Sequence, residues 1–202
     1  MSTYAWPQAP GWWPNRFEMR VLPNTFVFTS QYGKSTQAVD LLGERWRIVL
    51  DLPALTDPVL GAAREAFFDR LKGPVNLISI GHLLRTAPQG TVRGAPTLSS
   101  AVAQLGNIAS IQTTAFATLR AGDHLGLGAA GQLVRVMADA QADGAGLMSI
   151  EFYPRARTLI AANSAVAWAY PQANFRLAAD GVPVAWVPGA NDGSTLELIE
   201  AV

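Results

Sequence analysis

Arg45-Trp46-Arg47-Ile48-Val49-Leu50-Asp51-Leu52 is the stretch on which the fold turns. Trp46, Ile48, Leu50 and Leu52 alternate with Arg45, Arg47 and Asp51. Successive strand residues point to opposite faces, so the spacing predicts a strand with one face in a core. Pro53 ends it, because proline cannot donate to a sheet ladder.

Toward the N-terminus, Phe17, Val21, Phe26, Val27 and Phe28 surround Pro23-Asn24, which predicts two strands and a hairpin between Arg16 and Ser30. Before them, Trp6, Trp12 and Trp13 stand among Pro7, Pro10 and Pro14, a composition that resists helix and central strand alike. Residues 1–15 are expected to form an arm. Three tryptophans are costly to leave in water, so the arm should lie across its own domain or across a neighbouring subunit.

Toward the C-terminus, Thr56 or Asp57 can cap a helix over about 57–72, with Pro58 in its first turn and Leu60, Ala63, Phe67 and Leu71 at helical spacing. Gly73-Pro74 stops it. Val75–Ile80 reads as a short strand, and Gly81–Pro96 as a Gly/Pro-punctuated loop of functional size. A run of strands follows: 108–119, 125–127, 132–138, 147–152, 165–170, 174–178, 184–187 and 195–199. Turn signals at Ala121-Gly122-Asp123, Asp143-Gly144, Asp180-Gly181 and Asn191-Asp192-Gly193 separate several of them. Short strands punctuated this way argue for antiparallel sandwich or barrel modules rather than parallel βαβ units. The expected fold is therefore mainly β with one short helix. The expected organisation is an arm (1–15), a β module with the helix and the long loop (16–105), and a β-rich barrel or sandwich module (106–202).

The 202 residues suffice for a hydrophobic core without staples. The absence of cysteine excludes disulfide scaffolds, thiolate metal sites and cysteine nucleophiles, and two histidines leave little for a metal. Fifteen basic and fifteen acidic residues cancel, so no overall field draws the protein to nucleic acid or an anionic membrane. Only 15% of residues are charged, against roughly 25% in ordinary soluble domains, while 50% are hydrophobic. Such a surface suits burial against other protein chains. No bilayer-spanning stretch and no basic-then-apolar leader is read in the sequence, so neither membrane insertion nor secretion is expected.

Several motifs carry the spelling of chemistry without its context. Gly126-Leu127-Gly128-Ala129-Ala130-Gly131 matches a dinucleotide fingerprint, with Glu151 at the distance of the ribose-binding acid, but Glu151 falls on the exposed face of an alternating strand, and the glycines read better as a hairpin loop. Gly33-Lys34-Ser35-Thr36 and Ile48-Val49-Leu50-Asp51 mimic the two halves of a triphosphate site, yet Phe28 stands where the loop's first glycine belongs. Asp123-His124 would be a poor dyad, since neighbours on a strand diverge; Asp123 reads as a turn former and His124 as a strand-edge residue. Nothing in the sequence brings Asp51, Asp57 or Glu65 together as a glycosidase carboxylate pair. Trp46 and Trp168, in alternating strands, read as core or subunit contact rather than a sugar or base platform. No catalytic, cofactor-binding or metal-binding residue is assigned.

The order of motifs resembles a known group. Leu42-Gly43-Glu44-Arg45-Trp46, Leu52-Pro53-Ala54-Leu55 and Ala66-Phe67-Phe68-Asp69-Arg70-Leu71-Lys72-Gly73 look like the first half of tail proteins of phages of Gram-negative bacteria. Pro88-Gln89-Gly90-Thr91, followed by Gly94-Ala95-Pro96, resembles their Pro-x-Gly-Thr and Gly-x-Pro. Leu119 to Asp123, Gln132 to Val136, Ala138 to Gly146 and Ile150 to Arg157 look like their barrel-forming segment, and Asn174 to Leu177, Trp186 and Leu196 to Glu200 fit the closing part. The resemblance is to the distal tail, or tail-tip, proteins of long-tailed, siphovirus-like bacteriophages, and it covers roughly residues 16 to 200. It implies a non-enzymatic structural virion protein, without catalytic residues or cofactors. Such a protein is assembled in the host cytoplasm and forms a homo-oligomeric ring, typically of six copies. The ring joins the tail tube protein to the tail hub or tip proteins, with the tape-measure protein a further neighbour, and DNA passes through without specific binding. Two rival expectations are a tail-associated cell-wall-degrading enzyme, which needs convergent carboxylates, and a carbohydrate-binding module at the host-contact end, which needs exposed aromatics lining a groove.

Overall fold

The computed structural model describes residues 1–129 and 131–201. The first part of the chain supplies β1 (Thr3–Ala5), β2 (Arg16–Leu22), β3 (Thr25–Thr29), β4 (Thr36–Asp40), β5 (Arg45–Leu52), α1 (Pro58–Leu71) and β6 (Leu77–Gly81). The middle supplies β7 (Thr97–Leu98), β8 (Ile108–Gln112), β9 (Thr118–Leu119), β10 (His124–Leu127), β11 (Gln132–Val136), β12 (Ala140–Gln141), β13 (Leu147–Tyr153) and β14 (Val166–Ala167). The last part supplies β15 (Gln172–Leu177), β16 (Trp186–Val187), β17 (Ala190–Asn191) and β18 (Ser194–Glu200). The chain is mainly β, with one helix among the described residues and antiparallel sheets, as the alternation implied.

The first sheet runs β1-β6-β15-β18-β5-β2, and all its pairs are antiparallel except β1 with β6. Strand β5 shows the predicted alternation, with Trp46, Ile48, Leu50 and Leu52 buried. Their face continues through Ile78, Ile80, Phe175, Leu196 and Leu198, and Phe68 and Leu71 of α1 join this core. The helix starts where Asp57 caps it, its carboxylate accepting from the Val59 N–H at 2.8 Å, and it stops at Lys72 in the left-handed conformation. Its buried face is Gly61, Arg64, Phe68 and Leu71, rotated from the expected Leu60, Ala63, Phe67 and Leu71. Arg64 causes the rotation by tying the helix to the chain around it. Its guanidinium donates to Pro53 O at 2.7 Å, Gly11 O at 2.6 Å and Asn191 Oδ1 at 3.5 Å, and burial lowers its pKa.

The second sheet runs β14-β10-β11-β13-β8-β7. It nearly closes into a barrel, because Thr97 bridges Ala165, Leu98 N donates to Ser164 O at 2.9 Å, and Val166 N donates to Pro96 O at 3.0 Å. Closure removes sheet edges. Leu98, Ile111, Leu125, Val134, Ile150 and Phe152 fill the interior. Strand β11 serves both cores: Val134 points into the barrel while its neighbour Leu133 packs with Trp46 and the first sheet.

Two strand expectations are corrected. Pro23-Asn24 is not a hairpin turn: β2 pairs with β5, and β3 pairs with β4, a strand with no expected counterpart. The stretch 108–119 is two strands, broken where Phe116 takes a positive φ of 59°. Of the two seats open to the N-terminal arm, its own domain is the one it takes, with β1 paired to β6 and Trp6 and Trp12 buried edge-to-face against Phe67 and Phe68. Sheet membership does not follow a split near residue 105: β15 and β18 return to the first sheet, so the barrel strands are inserted between β6 and β15.

Candidate functional site

Strands β3 and β4 form a two-stranded ribbon that joins neither larger sheet. Every residue of both strands is exposed. The register sets Phe26 opposite Val39 and Phe28 opposite Gln37 on one face, and Thr25, Val27 and Thr29 opposite Asp40, Ala38 and Thr36 on the other. One face thus carries both phenylalanines and Val39 beside Gln37, the other three threonines with Val27, Ala38 and Asp40. Phe26 is 58% exposed, Phe28 59% and Tyr32, at the tip, 99%.

The ribbon is fixed at its root and closed at its tip. Leu41 N donates to Asn24 O at 2.8 Å and Asn24 Nδ2 donates to Leu42 O at 2.7 Å. Asp40 pairs with Arg155 beyond the end of β13 at 3.0 Å. Ser30 N donates to Ser35 O at 2.9 Å across the tip, and Lys34 there has a positive φ of 53°. Hollows of about 240 and 170 Å³ flank the root, the first between Arg45 and the Leu105–Arg157 side of the barrel, the second between Pro23 and Tyr153. Two of their three arginines are already matched, Arg155 by Asp40 and Arg157 by the buried Glu200.

The residues weighed for chemistry fall elsewhere. Gly33-Lys34-Ser35-Thr36 is the ribbon tip and leads into a strand, not a helix. Asp51 of the second half-motif accepts from Thr195 Oγ1 at 2.8 Å on the outer sheet face. Gly126 to Gly131 joins the antiparallel strands β10 and β11 as a hairpin loop; Ala130 lies outside the described residues. Glu151 is exposed on β13. Asp57 caps α1, and Glu65 accepts from Trp186 Nε1 at 3.4 Å, so neither converges with Asp51.

Asp123 is buried, and its carboxylate accepts backbone N–H groups from Gln89 at 2.7 Å, Gly90 at 3.2 Å and Arg120 at 2.8 Å. This ties the 81–96 loop to the barrel instead of leaving it free. At Gly90 a Cβ would stand 2.0 Å from Thr118 O, so no larger residue fits there. His124 is not at a strand edge but buried in the seam between the two sheets. There it lies 5.7 Å from Trp46 and 5.2 Å from His82, ring centroid to centroid, with Phe17 4.7 Å from His82. Arg135 stacks over Trp46 at 4.9 Å. Burial first, then the charges of Arg85 and Arg135, push His82 down to about 4; burial, then Arg135 and His82, push His124 down to about 3. Both are neutral near pH 7. Trp46 is fully buried and donates to Leu133 O at 2.8 Å; Trp168 is half-buried, donates to Gly94 O at 2.8 Å and carries Arg93 over its ring.

Among the described residues no group of three or more His, Cys, Asp or Glu side chains is placed to hold a metal ion, and no helix is long and apolar enough to cross a membrane. Compared with protein-family models and with curated proteins, the chain matches none. The feature that asks for an explanation is the ribbon. An isolated two-stranded hairpin is marginal in water, and an exposed row of aromatic residues is the mark of an interaction surface.

Proposed function

We propose that the chain is a structural subunit of a bacteriophage tail, of the distal-tail or tail-tip type. It assembles with copies of itself into a ring of about six. The ring joins the tail tube to the tip or hub proteins, neighbours the tape-measure protein, and leaves a channel through which DNA passes. The observation that carries this reading is the Thr25–Asp40 ribbon, with Phe26 and Phe28 exposed side by side on one face. A lone monomer gains nothing from that face. A formal charge of zero suits a channel that DNA crosses without sticking, and the low charged fraction suits a surface largely covered in a virion.

The test is the mass in solution by light scattering, with negative-stain electron microscopy, for the wild type and for Phe26→Ser combined with Phe28→Ser. Discrete annular particles that dissociate in the double variant are expected. A wild-type protein that stays monomeric at every concentration overturns the reading.

A further inference from the structure

Strand β5 has the ribbon at one end and a second exposed apolar patch at the other. Its eight residues span roughly 25 Å at about 3.3 Å each. Just past Leu52, Leu55 bridges Asn191, which places the small β16–β17 hairpin over the start of α1. Trp186 rests on Gly61, where a Cβ would come within 2.7 Å of the indole. Trp186 is nevertheless 46% exposed, and Val187 next to it 49% exposed. Between them is a hollow of about 180 Å³ lined by Thr56, Pro58, Trp186, Val187, Gly189 and Ala190. That is smaller than the roughly 300 Å³ at which small-ligand pockets begin, and of a size for one large side chain.

We infer that this hollow is the socket for the ribbon of a second copy of the chain, with an aromatic side chain from the ribbon seated beside Trp186. The inference rests on the assembly reading above and names the surface that completes it. Two observations choose this occupant. The first is charge: Asp57, Glu65 and Asp192 are exposed around the socket, whereas Lys34 at the tip is the sole charged residue from Thr25 to Val39. The second is area. Phe26, Phe28 and Tyr32 at their exposures offer roughly 400–500 Å², taking about 200 Å² for a whole aromatic side chain. Val39, on the face of Phe26, and Leu41, also exposed, bring the ribbon toward the ~800 Å² that each partner gives to a stable interface. Knob and socket stand at opposite ends of one sheet, so the contact is head-to-tail, the kind that closes rings when the rotation allows.

The experiment is charge exchange on the full chain, read by light scattering and analytical ultracentrifugation. Lys34→Glu and Glu65→Lys are each expected to weaken association roughly tenfold or more, since like charges are brought together, and the double variant to restore most of it. Trp186→Ala should weaken it roughly thirtyfold. Circular dichroism and the melting temperature establish that this last variant folds, and Glu65→Lys, on an exposed helix face, decides the matter if it does not. A ribbon-defective protein mixed with a socket-defective one should stop at dimers. If the Phe26/Phe28 variant dissociates while Glu65→Lys and Trp186→Ala assemble as the wild type does, the ribbon has another seat; the socket is then overturned and the assembly reading stands. If the wild type is monomeric throughout, both fall.

Discussion

Asp123 accepts from three backbone N–H groups, two from the 81–96 loop and one from its own turn, and the one from Gly90 is buried. Asp123→Ala should therefore destabilise the protein by roughly 1–3 kcal/mol, because a buried donor left without an acceptor costs about that much and the two part-buried ones add less. Asp123→Asn, which keeps one acceptor oxygen, should cost about half as much. Urea titration followed by tryptophan fluorescence measures both, and equal stability of all three proteins would remove the carboxylate from this role. That Asp123 forms a turn was legible, since Ala-Gly-Asp is a turn signal whatever surrounds it. The burial of His124 was not. Periodicity says which way a side chain points, whereas the group it meets, Trp46 on a strand nearly eighty positions away, is fixed by tertiary packing alone.

At the scale of elements, apolar residues of the same kind do opposite work according to what covers them. Trp12 is buried against Phe67 and Phe68, and Trp12→Ala should cost roughly 3–5 kcal/mol, the range for deleting a large core aromatic. Removal of Met1–Asn15, which takes away β1 and both buried tryptophans, should leave no cooperative melting transition in calorimetry. Phe26→Ser touches no core and should change the stability of the monomer by no more than about 0.5 kcal/mol while still impairing assembly. Sequence composition marked the arm as too apolar to be free, yet could not choose between its own domain and a neighbour, because tryptophan burial is equally favourable in either. The ribbon was half legible. Phe26, Val27 and Phe28 announced a strand, but β4, Thr-Gln-Ala-Val-Asp, has too few apolar residues to announce itself, and its pairing is set by the turn at Ser30–Ser35. In α1 the expected stripe missed its true face because Arg64, a charged residue, lies in the core bound only to carbonyl and amide oxygens.

At the scale of the whole molecule, the inserted barrel is fastened to the first sheet by unlike bonds along one seam. Arg157, beyond β13, grips the buried carboxylate of Glu200 on β18, which also accepts from Trp46 N at 3.0 Å. Beside this pair run Trp46, His124, His82 and Phe17, flanked by Arg135 and Arg85. The only carboxylate next in sequence, Asp123, is committed to the loop backbone. The seam is thus built for neutral histidines. Both have folded pKa values, about 4 for His82 and about 3 for His124, below the 6.5 of the unfolded chain, so below pH 6.5 the unfolded state binds more protons. Their contribution to stability is whole above that pH, falls as the pH drops from 6.5, and is gone near pH 3. The expected outcome is a urea midpoint that is flat from pH 8 to 7 and declines steadily between pH 6 and 4. His124→Phe keeps an aromatic ring against Trp46 without a titrating nitrogen, and should flatten much of that decline while leaving the unfolding free energy at pH 7.5 within about 1 kcal/mol of wild type. An unchanged slope in the variant would take His124 out of the acid response and leave His82, whose pKa is also held down by burial, as the next ring to replace.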